Sequence, residues 1–327
     1  MPRRQWLCGT LLAVLLTGRG SPVAAQATTR RIGLLAPGTV ADPSRYPEPM
    51  LQGLHELGWV EGRNLQVERR IAADRTERLP AMAEELVALG VELIVTVGTP
   101  AALAARKATS TVPIVMATIG DPVAAGLVQS LARPGGNVTG NTFIEPDLAA
   151  KRLQVLKELL PSATRIGELM NPANPALEML RAGEADALRV LGLQPVFADA
   201  STAAALEGAF DALQRQQVHA LLVHADSLFV SNRVPLMQLA LRRGLPTMAE
   251  GRAFVEAGAL VSYAPSTAAM MRNAAVFVDK ILGGARPADL PVQRPTKIEL
   301  VINRGTARQL GITIPTALLL RADVVID

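Results

Sequence analysis

Cysteine is nearly absent, histidine is scarce and aromatic side chains are thin: one Cys, three His and 3% aromatic residues in a chain of 327. Cys8 lies ahead of an apolar N-terminal stretch that reads as an export leader, so the chain left after processing has no thiol. That excludes a disulfide framework, thiol catalysis and lipidation of a new N-terminal cysteine. His55, His219 and His224 show no metal-ligand spacing, and His224 with Asp226 at alternate positions reads as structural sooner than catalytic. No GxSxG elbow, no P-loop and no GxGxxG after the first strand occur, so hydrolase, NTPase and dinucleotide readings lack their defining parts. The acids, though plentiful, form no local dyad or metal cluster along the sequence. Nothing in these residues demands a reaction or a metal, and the expectation is that the protein is not an enzyme.

Excess charge is missing too, once the leader is set aside. Arg3-Arg4 precedes an apolar stretch from Trp6 to Leu16 and then small residues from Pro22 to Ala27, the pattern of a cleavable signal over residues 1–27 and too short for a membrane span. Cleavage after Ala25 or after Ala27 satisfies the small-residue rule. An ordinary Sec leader is favoured, although Arg3-Arg4-Gln5-Trp6-Leu7 also resembles a twin-arginine signal. Losing Arg3, Arg4 and Arg19 takes the 33 basic residues to 30 against 29 acidic ones, so the net charge of +4 falls to about +1. A near-neutral chain argues against a polyanionic partner, and so few aromatics offer no stacking platform, so nucleic acid is not expected. An exported protein with no anchor diffuses away unless an outer membrane retains it, which points to a bacterial periplasm.

What the chain does have is an even alternation of apolar strands and amphipathic helices. About 300 mature residues at 49% hydrophobic content exceed what one core usually serves. Strands are predicted at Arg31 to Ala36, Asn64 to Ile71, Val91 to Val97, Pro113 to Gly120 and Asn137 to Phe143, with helices at Met50 to Leu57 and Leu79 to Leu89. After Pro122 a short helix is predicted to turn Val123, Leu127, Val128 and Leu131 inward. The rhythm restarts with helices at Asp147 to Leu160, Pro175 to Leu191, Thr202 to Arg215 and Ser231 to Arg243. The strands among them are Arg165 to Met170, Gln194 to Ala198, Ala220 to His224, Pro246 to Ala249 and Ala259 to Tyr263. A long helix to Leu282 and an extended run from Lys297 to Asn303 follow. The pattern calls for α/β architecture, with two doubly wound parallel-sheet lobes.

Two stretches carry a resemblance. Gly120-Asp121-Pro122, Gly126-Leu127-Val128 and the run Ser130 to Asn137 (SLARPGGN) followed by Thr139-Gly140 form one; ILGGARPADLPVQRPTKIELVIN, Ile281 to Asn303, forms the other. Both closely resemble the ABC transporter substrate-binding family that includes tryptophan/tyrosine-type binding proteins. The resemblance implies a type I periplasmic binding protein-like fold whose lobes are joined by a multi-crossing hinge. It places residues 28–144 with about 265–291 in an N-terminal lobe, and 145–264 with about 292–327 in a C-terminal lobe. It also implies capture of a small organic solute, an amino acid among the candidates, an inner-membrane ABC permease as partner and no cofactor, and a monomer suits docking.

Ligand candidates sit where strands end, since open parallel sheets bind beyond their carboxyl ends. Gly98-Thr99-Pro100 offers free N–H groups and a hydroxyl for a carboxylate. Asp121 and Asn171 hold comparable corners, and for these as for Thr99 plain helix capping is the competing reading. Asp226 can hold an ammonium group or cap its own loop, with Ser227 beside it; Glu250 is a second amine partner. Tyr263 either stacks on ligand or packs in the hinge, Tyr46 can cover the cleft, and Asn141 and Thr142 serve hinge or contact. A periplasmic sensory module feeding a receptor, or an enzyme on the same scaffold, are the alternative functions.

Overall fold

The computed structural model describes residues 29–38, 47–73, 75–143, 148–172, 174 and 177–327. The first half runs β1 (Arg30–Ala36), α1 (Glu48–Glu56), β2 (Leu65–Ile71), α2 (Leu79–Ala88), β3 (Ile94–Val97), α3 (Thr99–Ala108), β4 (Ile114–Thr118) and β5 (Val138–Gly140). These strands form a parallel sheet in the order β2-β1-β3-β4-β5. β3 and β4 are buried along their whole length, which is why they read as unbroken apolar runs without alternation.

The second half runs α4 (Leu148–Leu159), β6 (Arg165–Met170), α5 (Leu177–Val190), β7 (Gln194–Asp199), α6 (Leu206–Arg215), β8 (Ala220–Val223), α7 (Ser227–Ser231), α8 (Arg233–Arg242), β9 (Thr247–Ala249), α9 (Arg252–Glu256) and β10 (Val261–Pro265). It closes with α10 (Thr267–Leu282), β11 (Ile298–Asn303), α11 (Arg304–Gln309), α12 (Thr316–Arg321) and β12 (Val324–Ile326). Its sheet has the order β12-β11-β10-β9-β8-β6-β7, parallel except where β10 meets β11. The two parallel-rich sheets make two lobes.

The chain passes between them three times. After β5 it leaves for α4. After β10 it returns, and α10 buries Met271, Ala274, Ala275, Phe277, Val278 and Leu282 against α1 and the first sheet. Each large side chain so buried stabilises by about 1.5–3 kcal/mol, and the Trp59 indole N–H donates to Asp279 at 2.9 Å across the same seam. Val292 still packs in the first core, and the Gln293 N–H donates to the Gly140 carbonyl, so the last passage falls between Gln293 and β11.

The crossing segments are knitted together. Asn141 donates from Nδ2 to the carbonyls of Ala117 (3.1 Å) and Met270 (3.0 Å) and accepts from Asn273 (2.7 Å). The Thr142 N–H donates to the Gln293 carbonyl, and the Ser266 N–H to that of Lys297.

One expected element is absent. From Asp121 to Leu131 the chain forms successive turns, not a helix. Gly126, at φ +68°, cannot continue a helix, and the N–H groups of Leu127 and Val128 both fold back on the Pro122 carbonyl. Leu127 and Val128 are buried and Leu131 partly so, whereas Val123 is 42% exposed and faces out.

Gly140 marks the tightest approach in the first sheet. A β-carbon there would stand 2.2 Å from the Met116 carbonyl oxygen, at φ +131°. Gly140→Ala is expected to cost about 2 kcal/mol or more, a fall in Tm of roughly 4–8 °C by calorimetry; an unchanged Tm would mean that β4 and β5 separate freely.

Candidate functional site

Each sheet has one place where the strand order reverses. In the first, β1 leads outward to β2 on one side while β3 lies on the other; in the second, β6 has β7 on one side and β8 on the other. Loops leaving such a pair of strands diverge and open a crevice beyond their carboxyl ends. In the first lobe that crevice is bounded by Pro37 and by Gly98-Thr99, and in the second by Asn171 and by the loop His224 to Ser227. The two crevices face each other at close range: a β-carbon placed on Gly98 would lie 3.9 Å from Pro37 Cγ and 4.0 Å from Ser227 Oγ.

On the first-lobe side, Gly98 adopts φ +77°, which turns the chain sharply from β3 into α3. Pro100 stands in the first turn of α3, and no side chain caps the helix. Its positive end and unfilled N–H groups are the elements of an anion site. The Thr99 hydroxyl lies 3.7 Å from where a β-carbon on Gly120 would stand, so both corners meet at one spot. Asp121 spends Oδ1 on the N–H groups of Val123 (2.8 Å) and Ala124 (3.0 Å), capping the turn that follows.

On the second-lobe side, Asp226 is 8% exposed. Oδ1 accepts from the Leu228 N–H at 2.8 Å and from Asn171 Nδ2 at 3.1 Å, and Oδ2 from Asn174 Nδ2 at 2.9 Å. The carboxylate is thus both a helix cap and a fixed anion, with acceptor capacity beyond these three bonds. Ser227 is half-buried beside it, at the first position of α7.

Glu250, Tyr263, Asn141 and Thr142 are tied to other protein groups. Glu250 pairs with Arg152, accepts from the Ala225 N–H at 3.0 Å and lies 3.2 Å from His224 Nδ1. The Tyr263 carbonyl accepts from Arg152 Nε at 2.9 Å, and its half-buried ring packs in the second core. Asn141 is spent on the crossings, and the Thr142 hydroxyl donates to the Gly120 carbonyl. Tyr46 lies outside the described residues.

Beneath the second-lobe wall sits a buried charge cluster that local sequence patterns do not show. Glu168 pairs with Leu222, and Val223 with Ala249, so the register puts Glu168, His224 and Glu250 on one face of β6, β8 and β9. Glu184 from α5 and Arg152 from α4 close over them. Burial pushes the Glu184 carboxyl up to about 8. Burial also opposes charge on His224, yet the carboxylates of Glu250, Glu168 and Glu184 hold its pKa well above the usual value. At Glu250 burial is outweighed by Arg152 and His224, which hold its carboxyl well below the usual range.

Two parallel-sheet lobes with three passages of chain and facing switch points define the two-lobed solute-binding proteins of type I architecture. The family model described as ABC transporter substrate binding protein matches residues 40–326, and the chain belongs to that family. It is 28% identical over 261 residues, 80% of this chain and 74% of the other, to a tyrosine-binding protein of Clostridioides difficile. Among solved structures, the ABC domain in complex with L-Trp from Streptococcus pneumonia superposes with a TM-score of 0.85 at 27% identity, covering 91% of this chain and all of that one. A conserved domain protein from Vibrio cholerae gives 0.85 at 29% identity with the same coverage. The chain is thus a solute-binding component of an ABC import system.

Proposed function

We propose that the protein captures a small zwitterionic solute, an amino acid in the first instance, in the cleft between its lobes and presents it unaltered to an inner-membrane permease. The observation that carries this reading is the facing pair of switch points: an uncapped helix start at Thr99 opposite a fixed carboxylate at Asp226. The first suits a carboxylate and the second an ammonium group, with Gly98, Asn171 and Ser227 shaping the space between them. The relatives that bind tyrosine and tryptophan support the amino-acid class. Glu250, Asn141, Thr142 and Tyr263 support the wall and the crossings, and Asp121 holds its own turn.

Closure occurs by rotation of the two lobes about the three passages, because a permease must tell a loaded protein from an empty one. We place the lobes at 28–144 with about 265–293, and at 145–264 with about 294–327, the last boundary falling after the Gln293 bond to Gly140. The protein acts as a monomer, without turnover and with no cofactor in the cleft, in the periplasm after removal of its leader. Mass spectrometry of freshly purified mature protein tests this reading in one experiment. The expected results are an intact mass set by cleavage after Ala25 or Ala27, and release on denaturation of one zwitterionic small molecule. Retention of residues 1–27 in the exported protein would contradict the address, and a bound solute lacking either an amine or a carboxylate would contradict the clamp.

A further inference from the structure

We infer that Glu168, Glu184 and His224 form a buried site for one first-row divalent cation, of the Zn2+ or Mn2+ kind, beneath the second-lobe wall of the cleft. One ligand-type atom from each lies within 4.8 Å of the others, and all three residues are buried. His224 Nδ1 is 3.2 Å from Glu250 Oε1, and Glu250 is itself held by Arg152. A carboxylate on one ring nitrogen is the arrangement that orients a metal-binding histidine and leaves the other nitrogen's lone pair for the ion. That other nitrogen, Nε2, has no hydrogen-bond partner, and it faces Glu168 Oε2 at 3.8 Å. Both oxygens of Glu168 and Oε2 of Glu184 are also buried without a hydrogen bond.

Four orphaned ligand atoms in one place are costly, since buried polar atoms left unpaired destabilise by about 1–3 kcal/mol each. Bonds of about 2.0–2.2 Å would draw tetrahedral ligands to roughly 3.4 Å apart, a small contraction from 3.8 Å between Nε2 and Glu168, with the Glu184 carboxyl brought in from within 4.8 Å of both. Charge also balances: Arg152 answers Glu250, and a divalent ion answers Glu168 and Glu184 around a neutral imidazole. One imidazole with two carboxylates is a borderline donor set that suits Zn2+ or Mn2+ better than the all-oxygen shell of Ca2+. The ion would tie together β6 and β8, the strands whose loops present Asn171 and Asp226. This inference does not depend on the identity of the cleft solute.

The site is enclosed, so the ion is loaded as the protein folds. Tag-free mature protein is unfolded in denaturant with EDTA and refolded with no metal, with Zn2+ or with Mn2+, then desalted and assayed by elemental analysis and thermal scanning. The expected result is one equivalent of at least one ion per chain and a higher Tm than the metal-free protein. Glu168→Gln and His224→Gln should each retain less than a tenth of an equivalent, and Glu250→Gln should bind about 10–100-fold more weakly. Far-ultraviolet circular dichroism identifies any variant that fails to fold, and the wild-type stoichiometry stands without the variants. Refolded wild-type protein with no retained ion and no change in Tm would overturn the inference, as would full occupancy in folded Glu168→Gln.

Discussion

Asp226→Ala is expected to weaken binding of the solute released from the native protein by roughly 100-fold, about 2.7 kcal/mol, while leaving the fold nearly intact. Two asparagines and the start of α7 hold this carboxylate before any ligand arrives. Binding an ammonium group there therefore needs little reorganisation, and truncating one partner of an enclosed charge pair costs about 2–5 kcal/mol. The structural part of the substitution is smaller, because loss of a helix cap is worth about 1 kcal/mol. Calorimetric titration beside a thermal scan separates the two. Asp226→Asn, which keeps the shape and removes the charge, should fall between. An affinity within twofold of wild type for Asp226→Ala would remove the ammonium partner from the account.

Arg152→Met should produce a large loss of stability in the second lobe. Arg152 and Glu250 are each about one-tenth exposed, and the guanidinium also holds the Tyr263 carbonyl just before the second passage. Removing it leaves the Glu250 carboxylate buried near Glu168 and Glu184, with His224 and the Ala225 N–H as its remaining partners. Breaking a buried pair from one side costs about 3–5 kcal/mol, a fall in Tm on the order of 10 °C. Arg152→Met combined with Glu250→Gln should recover much of that loss, since no uncompensated charge then remains. A double variant no better than Arg152→Met would show that packing of the long arginine stem, and not charge, is what matters there.

The architecture was legible because its determinants are local. Buried parallel strands such as Ile114–Thr118 announce themselves as short apolar runs, and corners such as Gly98-Thr99-Pro100 combine a glycine turn with a proline in the first helical turn. The segment after Pro122 misled for an equally local reason: Leu127, Val128 and Leu131 are spaced for a helix face, but Gly126 takes a positive φ and the turn closes early. The buried cluster was not legible, because His224 and Glu250 meet only through the pairing of β8 with β9, and Glu168 through that of β6 with β8. Its one sequence signal was a charge inside RIGELM, where every neighbour from Ile166 to Met170 is buried. Asp226 looked like either a cap or a ligand group, and its geometry makes it a cap with acceptor capacity to spare.

The central claim is that two opposed crevices close on a small molecule and release it unchanged. Its most direct test is calorimetry of the mature protein with the solute that mass spectrometry finds in it, with small-angle scattering and recovery of the solute from the same cell. The account predicts one site per chain, a smaller radius of gyration in the loaded protein and solute recovered intact. Conversion of the solute to a product, or saturable binding with no change in dimensions from empty to loaded protein, would contradict it.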